Sequence, residues 1–204
     1  MYIDKYKKLS NLNDTPVIFE LGCGDNKVHK EAITIDSRDF PCVDIVGDVF
    51  EILKDIPDCS VNSLYAYHFV EHIDDLELLL SEMVRVCKYN SIIKLSVPHF
   101  SNPFFYSDPT HKRTFGLYTF FYFFDCKLFK RKVPDYCRIP EASLIFIKLI
   151  FTSYKPNYLR YIFKKFLQTI FNLSSWTQEF YEEMFANIFP CYELIIKIKK
   201  SEIK

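Results

Sequence analysis

Five short apolar runs follow one another between residues 17 and 98, and their alternation with polar or periodic stretches constrains this chain more than any other feature. The runs are VIFEL (17–21), AITID (32–36), VDIVGD (43–48), VNSLYAY (61–67) and SIIKLSVP (91–98), the last stopped by Pro98. Short runs rich in branched and aromatic residues predict buried strands. Between the fourth and fifth, DDLELLLSEMVRVCKYN sets Leu76, Leu79, Leu80, Met83, Val84 and Cys87 at spacings of three and four, with acids early and bases late. That is the pattern of an amphipathic helix matched to its dipole. Closely spaced strands with short connections predict an α/β fold, a doubly wound, Rossmann-like, mostly parallel sheet.

The chain has 4 Gly in 204 residues, and two of them, Gly22 and Gly24, fall in ELGCGDNK directly after the first run. In an open parallel sheet, ligands lie beyond the carboxyl ends of the strands, and the first strand-to-helix turn must let backbone approach the ligand. Glycine permits that approach. Asp36 ends the second run, where a carboxylate can accept hydrogen bonds from ribose hydroxyls. Together these suit an adenosine-bearing cofactor. A dinucleotide fingerprint asks for Gly or Ala at the sixth position of the turn, whereas this chain has Lys27 there and Asn26 before it, so a nicotinamide dinucleotide is disfavoured. The first helix is expected to be only a turn or two, because little chain separates Gly24 from the second strand.

Composition excludes further classes. Lys plus Arg and Asp plus Glu are 26 each, so no broad basic footprint for nucleic acid is expected. The seven cysteines, at 23, 42, 59, 87, 126, 137 and 191, form no C-x-x-C pair. They are read as free thiols, with neither a disulfide framework nor a metal site. The opening MYIDKYKKLSNLNDTP lacks the character of a secretory signal, and no apolar run is long enough to span a bilayer. A cytoplasmic location is expected, with peripheral contact at the inner face of the membrane as a variant.

In this order, ELGCGDNK, ITIDSRD, VGDVFE, YAYHFVEHI and EMVRVCKYNSIIKLSVP resemble the successive motifs of class I S-adenosylmethionine-dependent methyltransferases, over roughly residues 15–125. The resemblance implies a seven-stranded sheet whose last strand is antiparallel, with S-adenosylmethionine as cofactor. It implies that Glu20, Gly22 and Gly24 shape the pocket for the methionyl end and that Asp36 binds the ribose. Asp48 and the Val49 backbone then address the adenine, while His68 and Phe69 close the methionyl side. Asn26 stands where many members have a third glycine. Each acid also has a plain reading as a turn or helix cap, and His72 is read as an ordinary polar residue at a strand end.

An oxygen or nitrogen acceptor can need a base to take its proton. The segment VPHFSNPFFYSDPTHKRTFG follows the fifth strand and supplies His99 as first candidate and His111 as second, beside Asp108, Lys112 and Arg113. The DPTHKRTF stretch resembles proteins of bacterial surface-polysaccharide gene clusters, which implies a sugar or sugar-phosphate oxygen as acceptor. Beyond it, TFGLYTFFYFF reads as core or pocket wall. Residues 142–178 carry Lys148, Lys155, Arg160, Lys164 and Lys165 with no acid among many apolar residues, and Pro156 is expected to divide them into two helical pieces. They form either a cap over the acceptor or a surface for an anionic membrane. CYELIIKIKK alternates as a strand and is expected to close the sheet as an antiparallel edge guarded by its lysines. The chain thus reads as one domain: a cofactor core over 15–125, a helical cap or insertion over 126–190 and a closing strand over 191–200. The readings that remain are a small-molecule methyltransferase and a non-catalytic, methyltransferase-like binding module.

Overall fold

The computed structural model describes residues 2–12, 16–134, 136–153 and 156–202; Lys155 lies outside them. The predicted strands appear as β2 (Ile18–Leu21), β3 (Ile33–Asp36), β4 (Ile45–Val46), β5 (Val61–Tyr67) and β6 (Cys87–Pro98). A short β1 (Ile3–Asp4) pairs antiparallel with β4. Helices α1 (Val49–Asp55) and α2 (Leu76–Val86) provide the two crossovers around β5 and pack against each other. In the sheet the neighbours run β1-β4-β3-β2-β5-β6-β9-β8-β7. The chain therefore steps outward from β2 through β3 and β4, crosses back, and steps outward again through β5 and β6, all parallel. The order reverses between β2 and β5, which places the ligand crevice at their carboxyl ends.

The core follows from these runs. Phe19, Leu21, Leu64, Ala66, Leu95 and Val97 are wholly buried across the parallel strands. Leu76, Leu79, Leu80, Met83 and Val84 form the buried stripe of α2, whose start is capped by Asp75 accepting from the Leu78 N–H at 2.9 Å. Cys87, placed by its spacing at the end of that helix, instead opens β6.

The sheet has nine strands among the described residues, not seven. Beyond the six strands placed in the sequence stand β1, β7 (Asp125–Cys126) and β8 (Ala142–Ile150). The expected helix before Pro156 is strand β8, and the reason lies in its pairing. Ile145 is an extra residue opposite the partner strand, so Leu144 and Ile147 are both buried at a spacing of three. A bulge of this kind shifts the side chains that follow by one position and lends a strand a helical-looking pattern. The second piece is a helix as expected, α3 (Tyr158–Phe171), followed by α4 (Ser175–Met184). Ser174 opens α4 with a reciprocal cap to Thr177. Leu167, Phe171 and Tyr181 anchor both helices, and α3 packs on β8.

β9 (Glu193–Lys200) is antiparallel as expected, but it is no edge: β6 flanks it on one side and β8 on the other. Its terminal lysine guards nothing. Lys200 is buried, and its ammonium donates to the Arg85 carbonyl at 3.2 Å and to the Cys59 sulfur at 3.3 Å. The turn after β2 also differs from expectation, since 22–32 forms bends and turns with no helix. All seven cysteines are free thiols, and no helix among the described residues is long and apolar enough to cross a membrane.

Arg85, in the last turn of α2, ties the two crossover helices together. Its guanidinium donates to the carbonyls of Leu53 at 2.7 Å and Ile56 at 3.0 Å, and pairs with Glu82 at 2.8 Å and with Asp58. Hydrogen bonds from a charged donor to helix-end carbonyls are among the stronger ones. Arg85→Ala is expected to cost about 2 kcal/mol, read as a lower urea midpoint with an unchanged slope.

Candidate functional site

The turn at the end of β2 is built around its two glycines. Gly22 has φ +65°, donates to the Ile35 carbonyl at 2.8 Å, and has the Phe69 ring 2.2 Å from where a Cβ would sit. Gly24 has φ +57° with nothing within 4 Å of its missing Cβ. One glycine is thus needed for close packing and the other leaves open space at the mouth of the crevice.

Three carboxylates fix this region. Asp36, at the end of β3, accepts from the Gly24 N–H at 2.8 Å with one oxygen and from the Arg38 N–H at 2.9 Å with the other. Glu20 is buried, and its two oxygens accept from the N–H groups of Val28 at 2.9 Å and His29 at 2.8 Å. It therefore shapes the 22–29 loop from beneath. Asp48 caps α1, accepting from Phe50 at 2.9 Å and Glu51 at 3.2 Å, and Val49 is the buried first residue of that helix.

On the other side of the crevice, His68 leaves β5 with φ +50°. Its Nε2 lies 2.8 Å from Glu193 at the start of β9, and its Nδ1 lies 3.5 Å from Glu71. Burial alone pushes this imidazole down, but its hydrogen bond to Glu193 and the negative charges of Glu193 and Glu71 outweigh it and raise the group to about 9. His68 is therefore cationic at neutral pH. Burial pushes Glu193 up, yet the bonds from His68 and Ser96 hold it below the usual carboxylate range. Nearby, burial raises the Tyr67 phenol to about 12, and its oxygen meets His29 Nε2 at 2.8 Å.

The two histidines after β6 separate. His99 has no exposure; its Nδ1 accepts from the Ser101 N–H at 3.1 Å and its Nε2 lies 3.1 Å from Glu182 of α4. Both nitrogens are engaged within the protein. His111 instead folds back within its own loop, donating from Nδ1 to the Phe105 carbonyl at 2.8 Å and stacking on the Phe105 ring. Lys112 pairs with Asp74, while Arg113 donates to the Ile73 carbonyl at 3.0 Å and to that of Asp74. These contacts bring His111 to Glu71 and His72, its ring centroid 4.9 Å from that of His72. Glu71 is wholly buried. Sequence reasoning passed over Glu71 and took His72 as ordinary; the adjacent Glu-His pair ending the fourth motif was the available signal. Glu193 carried none, because a strand-opening acid is indistinguishable from a turn residue.

A cavity of about 500 Å³ opens between the loop after β6, helix α3 and the approach to β9. Phe104, Phe151, Phe163 and Tyr192 give it apolar walls, and Arg160 and Lys164 supply positive charge. Burial, and then the neighbouring Arg160, lower the Lys164 ammonium. Since Glu193 pairs with Pro98 on one side and Ile150 on the other, this cavity lies at the same end of the sheet as the glycine turn.

No family model matches the sequence, and no curated protein does. Among solved structures, the chain superposes on a SAM-dependent methyltransferase from Archaeoglobus fulgidus with a TM-score of 0.58 and 21% identity, covering 95% of this chain and 90% of that one. It also superposes on the YcgJ protein from Bacillus subtilis with a TM-score of 0.52 and 14% identity, covering 97% of each chain. The fold is shared. The Rossmann-like sheet, mostly parallel with an antiparallel β9, is the architecture of these neighbours.

The two glycines should respond differently to alanine. At Gly22 a methyl adds collision with Phe69 to the cost of left-handed backbone, so Gly22→Ala should lose about 2–4 kcal/mol. Gly24→Ala has only the backbone cost, about 1–2 kcal/mol. Urea unfolding of both variants checks the order, and equal losses would remove the packing argument.

Proposed function

We propose that this chain is an S-adenosylmethionine-dependent methyltransferase. The observation that carries the reading is the open Gly24 turn, held by Asp36, at the reversal of strand order between β2 and β5. The residues fit the cofactor. Each Asp36 oxygen accepts one backbone N–H and keeps a lone pair for a ribose hydroxyl. Asp48 and Val49 stand at the start of α1 to address the adenine, and cationic His68 complements a methionyl carboxylate beside Phe69. Glu20 acts through the loop it holds. When bound, the cofactor supplies an activated methyl group, which leaves the protein to align the acceptor and exclude water.

The acceptor proposed is an oxygen of a sugar or sugar-phosphate conjugate in surface-polysaccharide biosynthesis. The resemblance of the DPTHKRTF segment supports the class, and the apolar cavity carrying Arg160 and Lys164 supports an anionic group on it. For the acceptor's proton, what favours His111 over His99 is its position: His99 is enclosed with both nitrogens bonded, whereas His111 hydrogen-bonds a carbonyl through Nδ1 and meets Asp108 only at 3.8 Å through Nε2. The non-catalytic reading predicts cofactor binding without turnover.

Calorimetry tests the cofactor. S-adenosylmethionine or S-adenosylhomocysteine should bind and a nicotinamide dinucleotide should not. Asp36→Ala should weaken binding by about 1–3 kcal/mol, the usual cost of unpaired buried polar groups. Saturable binding of the dinucleotide in place of either adenosyl ligand overturns the reading.

Helix α3 also presents a second face. Leu159, Ile162 and Phe166 are exposed beside Arg160 and Lys165, an arrangement suited to an anionic membrane surface. Peripheral contact at the inner face of the membrane is proposed on this ground, with the protein otherwise cytoplasmic. Co-sedimentation with anionic vesicles should fall with salt and with Lys164→Glu plus Lys165→Glu; vesicle binding unchanged by the substitutions would leave α3 as a cap, and equal binding to neutral vesicles would remove the electrostatic attraction.

A further inference from the structure

We infer that Glu71, His72 and His111 form a binding site for a divalent first-row transition-metal ion. One ligating atom from each lies within 4.8 Å of the other two. The carboxylate of Glu71 is fully buried, and among the described residues no hydrogen-bond donor reaches either oxygen. Among the described residues its ion-pair neighbour is His68, whose Nδ1 stands 3.5 Å away and whose Nε2 is already given to Glu193. A buried carboxylate without hydrogen bonds is costly; the His68 imidazolium offsets part of that cost across 3.5 Å at Oε1, and the lone pairs that no donor fills remain for a further cation.

The hydrogen bonds of the two histidines point the same way. A carbonyl oxygen only accepts, so the contact from His111 to the Phe105 carbonyl places a proton on Nδ1; Nε2, 3.8 Å from the Asp108 carboxylate and beyond hydrogen-bond distance, carries the lone pair of the neutral ring. His72 is fixed by a relay. Thr110 gives its hydroxyl proton to Asp108 at 2.6 Å, so the 2.9 Å contact between His72 Nδ1 and the same hydroxyl must be donated by the imidazole. Nε2 of His72 is bare as well. The cluster thus gathers two imidazole lone pairs and a carboxylate, all acceptors and none a donor. Histidines that bind metal through one nitrogen characteristically donate from the other to a carbonyl or an acid-backed group.

Two imidazoles with one carboxylate select zinc, cobalt, iron or manganese over magnesium or calcium, which favour all-oxygen sites. Bonds of about 2.0–2.2 Å require the three groups to draw together by roughly an ångström. Three protein ligands leave a coordination position open. On the methyltransferase reading, on which this clause alone rests, the acceptor hydroxyl takes that position, and His111, its Nε2 now on the ion, gives up the role of base. The ion lowers its pKa, the proton passes to solvent, and the oxygen attacks the methyl carbon as the carbon–sulfur bond breaks to leave a neutral thioether.

The test uses the full chain stripped with a chelator and titrated with Co²⁺, followed by visible absorption and calorimetry. The expected result is one equivalent bound with nitrogen and oxygen ligation, displaced by Zn²⁺, and a rise in melting temperature by mass action. His72→Ala, His111→Ala and Glu71→Gln should each weaken binding at least tenfold. His111→Ala keeps the test decisive if Glu71→Gln disturbs folding, because His111 lies on a loop rather than in the core. Absence of stoichiometric binding overturns the site, as does binding unchanged in the histidine variants or a thiolate charge-transfer band, which would place the ion on cysteines. S-adenosylhomocysteine binding measured on the same sample separates the two readings. If it persists without metal binding, the ion is wrong and the proposed function stands.

Discussion

A single buried carboxylate organises the crevice. Glu20 sits at the end of the central strand β2 with 1% exposure, and both of its oxygens are spent on consecutive backbone N–H groups of the loop that follows. A desolvated charge of this kind is tolerable only because the loop satisfies it, and the loop keeps its course only because the charge is there. The helix that usually follows such a strand is replaced by this turn-rich segment. With the loop held down, Gly22 closes on Phe69, and Phe69 fixes the exit from β5. The positions of His68, Glu71 and His72 all descend from that exit.

The parallel half of the sheet was legible because its signals are local. VNSLYAY reads as a strand and is one from Val61 to Tyr67; the α2 stripe is visible as five apolar residues, Leu76 to Val84, at helical spacing. The other half was less so. The bulge at Ile145 hid β8 by breaking its period of two, and nothing in CYELIIKIKK says that a second strand will cover its outer side. Whether a strand is an edge is a property of its neighbours. The site shows the same division. Gly22, Gly24 and Asp36 could be found from spacing along one strand-turn unit. The meeting of His111 with Glu71 and His72 depends on a loop pinned by Arg113 to the carbonyls of Ile73 and Asp74, a contact far apart in sequence.

The ion pair of His68 with Glu193 joins these halves. It spans from the last position after a parallel strand to the first of an antiparallel one, and Ser96 on the intervening β6 bonds the same Glu193 carboxylate. The glycine-turn side and the α3 cavity side therefore share one charged contact, and a change in either reaches the other through it.

The interior position of β9 has a consequence for the order of assembly. Among the described residues, β8 and its short partner β7 meet the rest of the sheet only through β9, which follows them in the chain after both α3 and α4. Long-range pairing of this kind is entropically slow. During synthesis the strands from β2 to β6 can find each other while β8 has only the two-residue β7 as partner, and the facing edges of β6 and β8 wait for the same late segment. The glycine-turn side can therefore mature before the aromatic cavity exists, and the cavity walls arrive together in the one event that inserts β9.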